Sequence, residues 1–150
     1  MTLNRRHFLG TAASALALLP LPLSAALSDA EGEVAEKIDA ILEGRTPLEE
    51  GITIDSPRVA DNGAQVPVTV AVDSPMRADD HVTTLHLIAT RNPAPGIMRF
   101  HMTPALGRAE ISTRIRLAES QRLIVLAELS DGRVLAAAAQ IGVTEGGCTT

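Results

Sequence analysis

The chain has 150 residues, and its 13 Lys and Arg against 18 Asp and Glu give a formal net charge of −5. This acidic balance argues against a nucleic-acid-binding protein, because such proteins neutralise phosphates with Lys and Arg. Trp and Tyr are absent and Phe occurs twice, which also argues against ligand binding by aromatic stacking or by an aromatic cage.

The first 27 residues have the features of an export signal. Arg5 and Arg6 form a twin-arginine pair followed by Phe8, and an uncharged apolar stretch broken by two prolines runs over residues 11–27. The prolines leave this stretch too short for the ~20 apolar residues of a membrane span. We therefore predict a signal peptide over 1–27 and export to the periplasm by the twin-arginine route. Loss of Arg5 and Arg6 then changes the net charge from −5 to −7.

The next segment, Ser28–Glu43, is predicted to form an amphipathic helix. Ser28 and Glu31 have the spacing of a capping box at its start. Gly44 is the kind of residue that ends a helix. The apolar residues of the segment fall on one stripe, namely Val34, Ile38, Ile41 and Leu42.

Beyond a polar connection, apolar residues recur with a period of two. The predicted strands cover 52–54, 65–73, 81–90, 97–102, 109–117, 123–129 and 134–143. Residues 61–63 predict a turn and Ser130–Arg133 a hairpin turn, while Pro67 predicts an edge strand or a bulge. About seven short strands with frequent turns are typical of a mainly β fold, an immunoglobulin-like β-sandwich. We place this domain, with its N-terminal helix, at residues 28–143.

Cys148 is the only cysteine of the chain, in a predicted flexible arm over residues 144–150. Gly146 and Gly147 precede it and lower the preference for order. An odd cysteine in an exported protein indicates an intermolecular disulfide or a reactive thiol. No cation lies beside Cys148 in sequence, and Glu145 opposes formation of a thiolate. The pattern therefore favours a thiol that carries a substrate over an activated catalytic nucleophile.

The rest of the chain shows no catalytic motif. The histidines after the leader lack metal-binding spacing, and no serine stands in a G-x-S-x-G motif. We therefore predict no metal site, no cofactor and no enzymatic activity of the chain's own. Four arginines are compatible either with a solvated strand face or with an anion or partner site: Arg99, Arg108, Arg114 and Arg116.

Several short stretches, in their order along the chain, resemble one known family. They are Arg5-Arg6 with Phe8, Asn62-Gly63, Val66-Pro67-Val68, Ser74-Pro75-Met76, Asn92 to Pro95, Phe100, Ser112 to Ala118 with Gln121, Asp131-Gly132, and Gly146-Gly147-Cys148. The chain is similar to the SoxY family, the sulfur-carrier subunits of the periplasmic thiosulfate-oxidising Sox system.

The resemblance implies a function and a set of partners. A SoxY protein forms a heterodimer with a SoxZ subunit and holds thiosulfate-derived intermediates covalently on its tail cysteine, here Cys148. A heme c sulfur transferase loads the cysteine, a sulfate-releasing hydrolase acts on the adduct, and a sulfur dehydrogenase oxidises what remains. The carrier itself is not an enzyme, and neither nucleic acid nor membrane is implied as a partner.

The ending of the chain departs from the family pattern. The usual ending is Gly-Gly-Cys-Gly-Gly after an apolar residue, whereas Thr149 and Thr150 replace the closing glycines and Glu145 replaces the apolar residue. Threonine is β-branched and stiffer than glycine. The residues alone also leave open a different class of function. In that alternative, the chain is a periplasmic immunoglobulin-like binding or assembly protein whose cysteine dimerises or has no chemical role.

Overall fold

The computed structural model describes Leu27 and residues 32–145. Residues 1–26 of the predicted signal peptide, the Ser28–Glu31 capping box and the Gly146–Cys148 stretch lie outside these residues. In the described part, no helix has both the length and the apolar character needed to span a membrane.

Helix α1 spans Glu33–Leu42 and ends one residue before the predicted end at Glu43. Gly32, with a φ of 57°, is not helical, so the single helix predicted from Ser28 does not run through it. Glu43 and Gly44 both adopt left-handed backbone angles, with φ of 50° and 79°. The Glu43 N–H donates to the Asp39 carbonyl at 2.9 Å, and the Arg45 N–H donates to the Leu42 carbonyl at 2.8 Å. Glycine adopts the left-handed conformation at little cost, which is why Gly44 marks the stop.

Within residues 32–145, eight strands form two packed sheets, in agreement with the predicted mainly β immunoglobulin-like sandwich. The three-stranded sheet has the order β1-β3-β6 and the five-stranded sheet the order β2-β8-β7-β4-β5. The strands are β1 Ile52–Asp55, β2 Val59–Asn62, β3 Val66–Val72, β4 Val82–Ala89, β5 Gly96–His101, β6 Ala109–Ile115, β7 Gln121–Leu129 and β8 Val134–Glu145. Short 3₁₀ turns, Gly63–Gln65 and Pro104–Leu106, precede β3 and β6.

The main core lies between the two sheets, and α1 adds a second core. Alternate residues of β3 face the first core, and Val66 and Val70 are fully buried there. On the outer face of the five-stranded sheet, Val34 and Ile38 of α1 pack against a patch that includes Ile124 of β7. Because a helix covers one face and a sheet the other, the middle of β7 is buried on both faces.

Strand β2 was not predicted. Its last two residues, Asp61 and Asn62, belong to the predicted turn, and only Ala60 of its four residues is buried. The strand pairs in parallel with the end of β8, so that Val59 lies opposite Gly142 and Asn62 opposite Glu145. A short, exposed strand shows no alternation of apolar and polar residues in its sequence. Its conformation is set by its pairing with β8.

The edge strand predicted from Pro67 holds only for the part of β3 that contains the proline, and no bulge occurs there. Strand β3 is the central strand of its sheet, and its pairing with β6 has no register shift through Pro67 and Arg114. The proline is tolerated because β1 pairs with β3 only from Thr69 onward. At Pro67 the strand therefore has a neighbour on one side only. On the open side, no neighbouring strand needs the N–H that proline lacks.

Candidate functional site

The C-terminal end of β8 is the part of the described structure closest in sequence to Cys148. Strand β8 runs to Glu145, two residues beyond the predicted domain boundary at Val143. The predicted carrier residues Gly146, Gly147 and Cys148 follow outside the described residues, as do Arg5 and Arg6 of the predicted signal. The structure therefore fixes the place at which the predicted arm is attached, at one end of the sandwich.

Ser120 holds the last part of β8. The pairing of β7 with β8 stops at Gln121 and Ile141, so the side of β8 beyond Ile141 loses its strand neighbour. The Val143 N–H instead donates to Ser120 Oγ at 2.8 Å, and Ser120 Oγ lies 3.3 Å from the Val143 carbonyl oxygen. The Ser120 hydroxyl thus continues the hydrogen bonding along the β7 side of β8, beyond the last paired residues of the two strands.

A buried polar network joins the two loops beside this point. Gln121 is 2% exposed, and its Nε2 donates to Asn92 Oδ1 at 2.9 Å and to the Glu119 carbonyl at 3.1 Å. Its Oε1 accepts from the Arg91 N–H at 2.8 Å. The whole amide is therefore satisfied, which removes the cost of burying it.

Asn92 completes the network. Its Oδ1 also accepts from the Ala118 N–H at 2.9 Å, and its Nδ2 donates to the Arg116 carbonyl at 2.8 Å. The loop after β4 and the loop before β7 are therefore locked together. Asn92 is far in sequence from Ala118 and Gln121, and all three belong to the stretches that carry the resemblance.

The structure does not bring the four candidate arginines together. Arg114 lies exposed on the outer side of β6, in the three-stranded sheet. Arg99 is in register with His86, on the face of the other sheet that α1 covers. Arg108 pairs with Glu110 at 2.8 Å, near the end of the sandwich opposite the arm. These residues form no common anion site, and the described part holds no cluster of His, Cys, Asp or Glu suited to a metal.

A cluster of charged residues links the C-terminal end of α1 to the five-stranded sheet. Arg45 Nη2 lies 3.0 Å from Glu128 Oε2, and Arg45 also donates to the carbonyls of Ile41 and Leu42. His86 Nε2 lies 2.8 Å from Glu128 Oε1. Burial acts to raise the pKa of Glu128, but the hydrogen bonds from His86 and Arg45 outweigh it and leave that pKa below its usual value.

The comparisons with known proteins identify a family whose profile covers most of the chain. The sequence profile of the family described as "Sulfur oxidation protein SoxY" matches residues 38–148, a range that includes Cys148. The structure is similar to that of the sulfur carrier protein SoxY from Chlorobium limicola f thiosulfatophilum, with a TM-score of 0.59 and 31% identity. The match covers 73% of this chain and 97% of that one. No curated protein sequence matches this chain.

Two further likenesses concern the fold alone. A superoxide reductase (neelaredoxin) from Ignicoccus hospitalis is 17% identical with a TM-score of 0.56, covering 77% of this chain and 91% of that one. A putative superoxide reductase from Thermotoga maritima is 15% identical with a TM-score of 0.55, covering 69% of this chain and 91% of that one.

Proposed function

Because the chain belongs to the SoxY family of sulfur oxidation proteins, we propose that it is a sulfur carrier that binds thiosulfate-derived intermediates on Cys148. The observation that carries the proposal is the extent of the family match, which continues beyond the end of β8 to the only cysteine. The SoxY structure it resembles is described as a sulfur carrier protein. The protein is then a substrate-bearing subunit, on which other enzymes act.

The chemistry of loading is an oxidation of two sulfur atoms. The Cys148 thiolate and thiosulfate join through a new S–S bond, R–S⁻ + S₂O₃²⁻ → R–S–S–SO₃⁻ + 2 e⁻, and a heme c partner enzyme accepts the electrons. Hydrolysis then releases sulfate, R–S–S–SO₃⁻ + H₂O → R–S–SH + SO₄²⁻ + H⁺. A sulfur dehydrogenase partner then takes six electrons from the outer sulfur of the persulfide, R–S–SH + 3 H₂O → R–S–SO₃⁻ + 6 e⁻ + 7 H⁺. Hydrolysis of that S–S bond, R–S–SO₃⁻ + H₂O → R–SH + SO₄²⁻ + H⁺, releases a second sulfate and restores the Cys148 thiol.

The surroundings of the arm support a carrier that has no activity of its own. Glu145, the last described residue, is acidic, and no cation adjoins Cys148 in sequence to stabilise a thiolate. Ser120 and the Asn92–Gln121 network hold the end of the sandwich to which the arm is attached, so the attachment point has a fixed position. A thiol tethered at a fixed attachment point raises the effective concentration of the bound intermediate at each partner's active site.

The proposal includes a compartment and a heterodimer. Arg5-Arg6 and the apolar stretch after them support export by the twin-arginine route to the periplasm. That route carries folded proteins, so a SoxZ-like subunit without a signal of its own would be exported already bound to this chain.

A genetic complementation tests the function. A strain lacking this gene is supplied with the wild-type gene, with Cys148→Ser or, as a matched control one residue further on, with Thr149→Ser. We expect the wild type and Thr149→Ser to restore thiosulfate oxidation and Cys148→Ser to fail while accumulating to the same level. Normal thiosulfate oxidation by Cys148→Ser would refute the proposal.

A further inference from the structure

Strand β6 leaves one edge of the three-stranded sheet open. It pairs with β3 over all seven of its residues, from Ala109 opposite Val72 to Ile115 opposite Val66, and the register does not shift. No strand of the described part pairs with its other side. In an antiparallel strand, alternate residues direct their N–H and C=O groups away from a given neighbour. The segment 108–116, which we name the β6 edge, therefore presents a row of backbone hydrogen-bonding groups.

Among the four edge strands of the two described sheets, β6 has the longest regular edge. Strands β1 and β2 have four residues each, and the pairing of β5 with β4 shifts register between Leu87 and Ile88. Strand β6 contains neither a proline nor a register shift, two features that commonly keep another strand from adding to an edge. Its remaining protection is the charge of its side chains, which repels segments of the wrong sign. An extended segment of suitable charge therefore fits beside β6 as a further strand.

The charges along the β6 edge favour an acidic segment. Arg108 and Glu110 pair with each other at 2.8 Å. Arg114 and Arg116 are exposed, and neither forms an ion pair among residues 32–145. Asp55 is the only other acidic residue in the strands of this sheet, and it lies on β1, two strands away. Three arginines against one glutamate give the β6 edge a net charge of +2, although the mature chain is predicted to be acidic.

This positive charge disfavours a second copy of the chain as the added strand. Like charges placed directly across a strand pair destabilise it, whereas opposite charges stabilise it. Two β6 edges that met would each contribute a net charge of +2, whichever register they adopted. The occupant that the charges favour is therefore an acidic strand of a different protein.

An exposed leucine precedes the β6 edge. Leu106 ends the 3₁₀ turn Pro104–Leu106, which connects the two edge strands β5 and β6, and it is 58% exposed. An apolar residue of a partner that packed on Leu106 would remove this side chain from water. The apolar contact and the two unpaired arginines therefore lie at opposite ends of the same edge, so together they set the direction of an added strand.

We propose that the β6 edge receives an extended acidic segment of the carrier's partner subunit as a fourth strand of the three-stranded sheet. Main-chain hydrogen bonds along β6 hold the segment, an apolar residue packs on Leu106, and Asp or Glu lies beside Arg114 and Arg116. The two arginines select an acidic partner and speed its approach. The inference rests on the proposed function only in taking the SoxZ-like subunit as the partner.

Two variants test the proposal, each with a matched control at β2, the edge strand farthest from β5, which β6 contacts. Arg114→Glu reverses an exposed charge on β6, and Arg58→Glu makes the same change just before β2. Leu106→Ser removes an exposed apolar side chain, and Val59→Ser does so in β2, where Val59 is 62% exposed. Each purified carrier is titrated with the purified SoxZ-like subunit by isothermal calorimetry, after circular dichroism confirms that it is folded.

We expect Arg114→Glu to weaken binding about tenfold at low salt and less at high salt, because the lost attraction is screened. Leu106→Ser should weaken it about fivefold at any salt, and both β2 controls should bind like the wild type. In the wild-type complex, hydrogen–deuterium exchange should slow at the amides of residues 109–115, because the added strand accepts their open hydrogen bonds.

Equal binding by all five proteins, or unchanged exchange along β6 in the complex, would overturn the β6 edge as the interface. Either result would leave the sulfur-carrier proposal intact, because that proposal is tested through Cys148. Self-association of the wild type that slows exchange along β6 would assign the edge to a second copy and also overturn the inference.

Discussion

Ser120 and Val143 are joined by a hydrogen bond from the Val143 N–H to the Ser120 hydroxyl at 2.8 Å. This contact lies beyond the last paired residues of β7 and β8 and two residues before Glu145, where the described part of β8 ends. On its other edge, the same part of β8 pairs in parallel with β2. The base of the proposed arm is therefore held from both sides.

The first prediction concerns this contact. Ser120→Ala should increase the rate of hydrogen–deuterium exchange at the Val143 amide and lower the free energy of unfolding by about 1 kcal/mol or less, because the bond is exposed and water replaces it. Ser112→Ala is the control, since the Ser112 hydroxyl bonds Thr69 on the other sheet. Unchanged exchange at Val143 in Ser120→Ala would show that β8 is held by β2 alone.

The second prediction concerns the buried network. Asn92→Ala leaves Gln121 Nε2 and the Ala118 N–H without this acceptor, so the free energy of unfolding in urea should fall by about 1–3 kcal/mol. Asn62→Ala removes one exposed hydrogen bond, to the Ala64 N–H, and should cost about 1 kcal/mol or less. Equal losses for the two variants would mean that the network does not stabilise the loops as we describe.

The third prediction is a pH dependence. The folded-state pKa of Glu128 lies below 4.5, so its carboxylate stabilises the fold above that value and this contribution disappears as the pH falls through the folded pKa. The difference in unfolding free energy between wild type and Glu128→Gln should therefore be fully developed above the ordinary pKa of glutamate and shrink as the pH falls through the lower folded-state pKa. Arg45→Met removes one cause of the lowered pKa and should lose less stability on acidification than the wild type. A pH-independent difference between wild type and Glu128→Gln would contradict this account.

The fourth prediction addresses the unusual ending. Replacing both Thr149 and Thr150 with glycine restores the common family ending and removes two β-branched residues. We expect faster loading of Cys148 by the heme c partner enzyme, measured by single-turnover kinetics, with unchanged protein stability. The double serine variant keeps the hydroxyls without the branching and should give part of the gain. A slower glycine variant would indicate that the threonines are themselves recognised.

Local patterns were sufficient for the elements with a clear period. Alternation located β3 and β6 because one face of each is buried, and Gly44 located the end of α1 because its backbone is left-handed. Strand β2 was missed because its exposed residues take their conformation from β8. Pro67 predicted an edge strand, and at Pro67 itself β6 is the only neighbouring strand. From Thr69 onward β3 also pairs with β1, so the strand as a whole is central.

The sequence alone made Cys148 the candidate site. The lone cysteine after two glycines drew attention to Cys148 from composition and position alone. The base of the arm was not predictable, since Asn92 and Gln121 meet only because the sandwich brings the loop after β4 to the loop before β7. Gln121 stands between Ser120 and Arg122, so the local sequence gives no sign that it is buried.

The most direct test of the central claim is the mass of the C-terminal tryptic peptide. No Lys or Arg follows Arg133, so trypsin releases residues 134–150 as one peptide that contains Cys148. After growth on thiosulfate, we expect this peptide to carry sulfur adducts that fragmentation assigns to Cys148 and that reductant removes. A peptide that remains unmodified under these conditions, in cells that oxidise thiosulfate through this protein, would contradict the account.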